Sequence, residues 1–175
     1  MSDLPHFKYN PNALELGVIK KEPTACPICK QNREYTYAGP FYSVEEAEGI
    51  CPWCIADGSA TERLDGTTQD SYSCEPVENP EFLEELTLRT PGYSGWQQEV
   101  WLSHCGDFCA IKQYVGWKEI SHLTEELTDD LNRIKTEYSF TQEQLEQYLV
   151  NNGSLQGYLF QCIHCAQHRL TVDMG

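Results

Sequence analysis

Positive charge is what this sequence has least of. Lys and Arg number 12 against 27 Asp and Glu, leaving a formal net charge of −15. The basic residues stand singly or, at Lys20-Lys21, as one pair. Neutralising a phosphate backbone takes a stripe of cations, so nucleic acid is not expected as a direct partner. Long apolar runs are missing as well. With no stretch of about 18 apolar residues, a membrane-spanning helix is excluded and no membrane partner is expected. The opening MSDLPHFKYN has neither a basic n-region nor an apolar h-region, so no export signal is read and a cytoplasmic location is expected.

Several catalytic signatures are also absent: His-Glu-x-x-His, a P-loop, Gly-x-Gly-x-x-Gly and Gly-x-Ser-x-Gly. The nucleobase-deaminase pattern requires Pro before its Cys-x-x-Cys, whereas Thr24-Ala25 and Gly49-Ile50 precede the pairs here.

Cysteine, by contrast, is abundant, with 9 residues. In a chain with no export signal, thiols stay reduced, and paired cysteines then point to metal more than to disulfides. Three pairs share a two-residue gap: Cys26/Cys29, Cys51/Cys54 and Cys162/Cys165. That gap lets two sulfurs face one centre from a tight turn, as a tetrahedral zinc ion requires. Cys26, Cys29, Cys51 and Cys54 are therefore expected to form a structural zinc site. A redox couple at CPWC would leave CPIC unexplained. The third pair needs partners, and HCGDFC offers His104, Cys105 and Cys109. A second zinc site of Cys105, Cys109, Cys162 and Cys165 is the simplest assignment, and His104 in place of Cys109 or Cys105 is its rival. Cys74 has no partner by spacing and reads as a free thiol.

Local patterns set the expected fold. YTYAGPFYS (35 to 43) suggests strand, residues 1 to 25 read as extended, DGSATERL as a short helix and 65 to 78 as loop. Asn79 followed by Pro80 and Glu81 marks a helix start. SGWQQEVWLSHC is expected to be helical with Trp96 and Val100 on one face. Leu123, Leu127, Leu131, Ile134 and Tyr138 recur at helical spacing. Thr141 and Gln144 form a capping box opening a further helix, and the end of the chain reads as two short strands hinged at the third cysteine pair. The class expected is α+β: a zinc-ribbon-like N-terminal lobe (1–65), then helices packed on a small antiparallel sheet (66–175) that carries the second site.

The stretches FKYNPNALELGVI, CPICK, YAGPFYS, CPWCIADGSA, RTPGYSGWQQEVWLSHCGDFCA and LFQCIHC, in this order, resemble the CbrC family of small bacterial proteins. The resemblance implies that the matching cysteines are metal ligands. It also implies a link to colicin tolerance or toxin immunity, and carries over no catalytic residue. With the acidic charge, it makes the expected function non-enzymatic: binding and neutralising a basic protein such as a nuclease toxin domain. Glu125, Glu126, Asp129 and Asp130 would supply the partner-binding surface. The alternative is a zinc-dependent hydrolase or nucleic-acid-modifying enzyme that uses His104, Glu99 or Gln98 beside an incomplete second site. A redox or metal-sensing regulator is a third reading.

Overall fold

Four very short strands open the chain, and their own hydrogen bonding is too sparse to hold them. In the computed structural model, which describes residues 3–175, β1 (Ile19–Lys20) pairs antiparallel with β4 (Thr36–Tyr37), and β2 (Thr24–Ala25) with β3 (Asn32–Arg33). The first two residues of the segment expected to be extended over 1 to 25 lie outside the described residues, and within it residues 11 to 17 form turns rather than extended chain. Two small helices follow, α1 (Pro52–Ala56) and α2 (Ser59–Leu64), joined where the Ser59 N–H donates to the Asp57 carboxylate. Phe7, Val18, Ile19, Ile28, Tyr37, Ile50 and Ile55 bury together around Cys26, Cys51 and Cys54. The cysteines thus sit inside the apolar cluster that unites these fragments.

The rest of the chain is helices on a sheet, so the class is α+β. Helix α3 (Pro80–Arg89) starts as its sequence dictates: the Asn79 side chain accepts the Glu81 N–H at 3.0 Å, and Pro80 occupies the first helical position. A hairpin of β5 (Ser103–His104) and β6 (Asp107–Phe108) leads into β7 (Ala110–Val115). Strand β7 pairs with β8 (Leu155–Gln161), which pairs in turn with β9 (His168–Met174), all antiparallel. One face of this sheet buries Tyr158 and Phe160 with Tyr93, Trp101 and Phe108. The other face packs Leu155, Leu159, Leu170 and Val172 against three helices: α4 (Trp117–Ile120), α5 (Thr128–Tyr138) and α6 (Gln142–Tyr148). Helix α6 carries the expected capping box, with Thr141 Oγ1 accepting the Gln144 N–H and Gln144 accepting the Thr141 N–H. Among the described residues no helix is long and apolar enough to cross a membrane.

Two local expectations need correction. The segment 94 to 105 is not helical: it runs irregularly to Trp101 and then enters β5. The reason lies in distant acceptors. Asp173 on β9 accepts the N–H groups of both Trp96 and Gln97. Donors that a helix would use are also taken, the Val100 N–H by the Tyr93 hydroxyl and the Trp101 N–H by the Ser73 carbonyl, and Trp96 and Val100 are left exposed. The amphipathic pattern over 123 to 138 is likewise divided, and regular α-helix begins only at Thr128.

Helix α5 has a second task. Strand β9 is an edge, and unpaired backbone along an edge must be satisfied or it will pair with another chain. Glu126 accepts the His168 N–H at 2.6 Å, and Asp130 that of Leu170 at 2.8 Å. Arg133 donates to the Leu170 carbonyl and Tyr138 to that of Val172. Asp130 is buried and also accepts from Arg169, which reaches on to Glu75. Burial alone would raise the Asp130 pKa, but the Arg169 guanidinium and the Leu170 N–H hold it below the usual carboxylate range. A carboxyl with a depressed folded pKa contributes stability above its unfolded value and loses it as pH falls through the folded one. Asp130→Asn should therefore cost about 3 kcal/mol at neutral pH. The gap between the two proteins should close below about pH 4; urea unfolding of both across that range is the measurement.

Candidate metal centres

The first cysteine pair lies in the loop of the β2–β3 hairpin. The Cys26 N–H donates to the Gln31 carbonyl and the Lys30 N–H to the Cys26 carbonyl, each at 2.9 Å. Lys30 completes this knuckle at φ +60°, a left-handed conformation uncommon for a residue with a Cβ. The second pair arrives differently. Cys51 caps α1 in extended conformation, Pro52 supplies the first helical φ, and Cys54 lies in the first turn. The Cys51 N–H points at the Cys26 sulfur, 3.4 Å away.

These two devices bring four sulfurs together. Cys26 and Cys54 Sγ lie 3.9 Å apart, as do those of Cys29 and Cys51, and all four lie within 4.8 Å of one another. A tetrahedral zinc ion with Zn–S bonds near 2.3 Å sets sulfur–sulfur edges of about 3.8 Å. The set fits a metal ion, and its electrostatics require a cation if all four are to ionise. Burial and then neighbouring sulfurs push the Cys54 thiol up, and burial raises Cys51 as well. Cys29 is drawn down to about 7: burial opposes this, but hydrogen bonds from the Gln31 backbone, the Cys54 thiol and the Arg33 side chain outweigh it.

The second group forms where two hairpins meet. Cys105 and Gly106, at φ +55° and +75°, are the two central residues of the β5–β6 turn, the twist a two-residue hairpin requires. The β8–β9 hairpin closes on a knuckle that repeats the first. The Cys162 N–H donates to the Gln167 carbonyl, the Ala166 N–H donates to the Cys162 carbonyl, and Ala166 sits at φ +64°. His104 Nδ1 is 3.2 Å from Cys105 Sγ and 3.3 Å from Cys165 Sγ, and with Cys162 these donors all lie within 4.8 Å. Cys162 falls to about 6: burial raises it, but the N–H groups of Cys165 and His164 prevail. Cys105 rises to about 11, chiefly through its neighbour Cys165. The first group is largely buried, whereas here Cys105 and Cys165 are exposed.

Of the residues singled out from the sequence, Cys109 stands outside this group and His104 inside it. Cys109 is fully buried beside Trp101, which donates to its carbonyl, and burial pushes its thiol up to about 12. Cys74 belongs to neither group, and burial pushes it to about 12 too. Buried Asp130 and exposed Glu126 are both engaged at the β9 edge, whereas Glu125 and Asp129 are exposed and not tied to β9. Glu99 and Gln98 are not beside His104 and instead hydrogen-bond Tyr42. Arg33 at the first group went unnoticed in the sequence, as did the repeated knuckle. The latter had a signal, Cys-x-x-Cys-x-Gln at both 26–31 and 162–167.

An α+β chain with two sulfur-rich groups, each able to hold a metal ion, is the class that fold and site define. The chain belongs to the uncharacterised protein family UPF0167, whose model matches residues 4–174. It is 42% identical over 177 residues to UPF0167 protein Mb2317 of Mycobacterium bovis and, equally, to UPF0167 protein MT2352 of Mycobacterium tuberculosis; each match covers 98% of this chain and 94% of the relative. UPF0167 protein PA1536 of Pseudomonas aeruginosa is 36% identical over 173 residues, covering 97% of both chains. No solved structure matches the chain.

Substitutions should separate the two groups. Cys51→Ser should remove one bound metal and unfold the N-terminal cluster, because metal binding and folding are linked there. Cys165→Ser should remove the other metal while that cluster persists. Cys109→Ser should keep both metals and cost about 1–3 kcal/mol for burying a hydroxyl in an aromatic core. Metal per chain by elemental mass spectrometry and denaturation by circular dichroism read all three.

Proposed function

We propose that this is a zinc-stabilised, non-enzymatic cytoplasmic protein that binds and neutralises a basic protein. The resemblance to the CbrC family makes a bacterial nuclease toxin the partner of choice. Zinc is favoured over other metals because the donor sets, four sulfurs and three sulfurs with an imidazole, suit a tetrahedral ion indifferent to ligand-field geometry. One observation carries the non-enzymatic reading: each group supplies four donors, so a bound ion has a complete tetrahedral shell with no position left for a substrate or an attacking water.

The docking element rests on charge. With a formal net charge of −15, the protein attracts a cationic partner over several ångströms and speeds its encounter. Glu125 and Asp129 before and on α5, with Glu143 and Glu146 on α6, project carboxylates into solvent. They supply that field and, on this reading, meet the partner's basic cleft.

Two measurements test the reading. Cobalt replacing zinc should give two tetrahedral, thiolate-rich absorption signatures; a five-coordinate or water-ligated signature at the second group would instead support the hydrolase. Affinity capture in the native host should yield a basic protein at equal stoichiometry. Glu125→Lys with Asp129→Lys should slow its association by about tenfold at low salt. An unchanged rate and salt dependence would remove this face from the interface.

A further inference from the structure

In this cation-poor chain, one guanidinium lies against the first sulfur group. Arg33 follows that knuckle on β3, where it pairs with Thr24. Its guanidinium carbon sits 4.7 Å from the centroid of the Trp53 ring, and Trp53 stands between Cys51 and Cys54 on α1. The guanidinium lies close enough to Cys29, Cys51 and Cys54 for thiolate charge there to favour its protonated form. Its Nε is buried without a hydrogen-bond partner. An arginine serving only solubility would extend into water and keep Nε hydrated. This one packs its guanidinium over an indole beside the sulfurs, with Nε turned inward.

The burial pattern shows what it covers. Cys26, Cys51 and Cys54 are buried, and Cys29 alone of the four is half-exposed. A dication bound by four thiolates leaves a net charge of about −2 at the sulfurs. That charge makes an accessible sulfur nucleophilic, and through it protons, oxidants and competing metals enter. A planar donor fork held at the exposed sulfur would offset the charge and block the approach. Lysine, a point charge without the fork or the stacking plane, would do this less well.

We infer that Arg33 is a positioning residue for the N-terminal metal: clamped on Trp53, it holds and shields the Cys29 sulfur and so governs how fast this site loses its ion. The inference rests on the zinc reading above and concerns one group only. The second group, with exposed Cys105 and Cys165, is the internal control.

The test uses the full, zinc-loaded chain with Arg33→Met and Arg33→Lys. Each protein is exposed to a chromogenic zinc chelator and, separately, to N-ethylmaleimide, with alkylation at each cysteine followed by peptide mass spectrometry. Release from the N-terminal group and alkylation of Cys29 should both accelerate in Arg33→Met by about tenfold or more, the usual cost of removing an outer partner of a metal ligand. Arg33→Lys should fall between it and the wild type, and Cys165 alkylation should not change. Equal acceleration at Cys29 and Cys165 would mean general loosening and overturn the inference, as would an unaltered Cys29 rate. A wild-type chain purified without zinc would overturn the zinc reading with it, so the two failures are distinct.

Discussion

Four sulfurs brought to one point organise the N-terminal third of the molecule. Strands of two residues and helices of five or six cannot persist by themselves, because each costs backbone entropy that its few hydrogen bonds do not return. Three of the four cysteines are also part of the apolar cluster that gathers these pieces. Burial, with neighbouring sulfurs adding to it, holds the Cys51 and Cys54 thiols above their ordinary pKa, so the four do not ionise together unaided. A tetrahedral cation reverses that balance and converts repulsion into a clamp. On the zinc reading, the lobe folds because its ion binds.

The same logic at the other end joins distant elements rather than neighbours. His104 and Cys105 come from the β5–β6 turn, while Cys162 and Cys165 come from the β8–β9 turn. Beside them a buried carboxylate, Asp107, accepts from Tyr9, Lys8 and His164 and ties the start of the chain to this knuckle. Burial tends to raise its pKa, but these donors hold it below the usual range. This donor group and the carboxylate hub together gather the N-terminal segment, the central hairpin and the last hairpin.

Acidity in this chain therefore has two meanings. Glu126, Asp130 and Asp173 each accept backbone N–H groups that regular structure leaves unpaired, and Asp107 and Glu75 hold cations. These carboxylates are structural, and their charge is largely spent within the fold. Glu125, Asp129, Glu143 and Glu146 face water. A sequence counts both sets alike, since one helical step separates Glu125 from Glu126 and Asp129 from Asp130. Which member of each pair reaches the β9 backbone depends on where that strand lies.

Whatever depended on a few consecutive residues was legible from the sequence alone. The Asn79-Pro80 start of α3, the Thr141/Gln144 capping box, the hairpin around Cys162 and Cys165, and the grouping of the first two cysteine pairs all arise from contacts within a turn or from a fixed ligand spacing. Tertiary structure decided what rested on remote partners. Asp173 draws Trp96 and Gln97 out of the expected helix. The left-handed turn at Cys105-Gly106 brings His104 to the second group, while Cys109 is packed into the aromatic core. Spacing along a chain limits which donors can meet, but the choice between His104 and Cys109 needs the twist of one hairpin and the position of Trp101, and no local pattern encodes either.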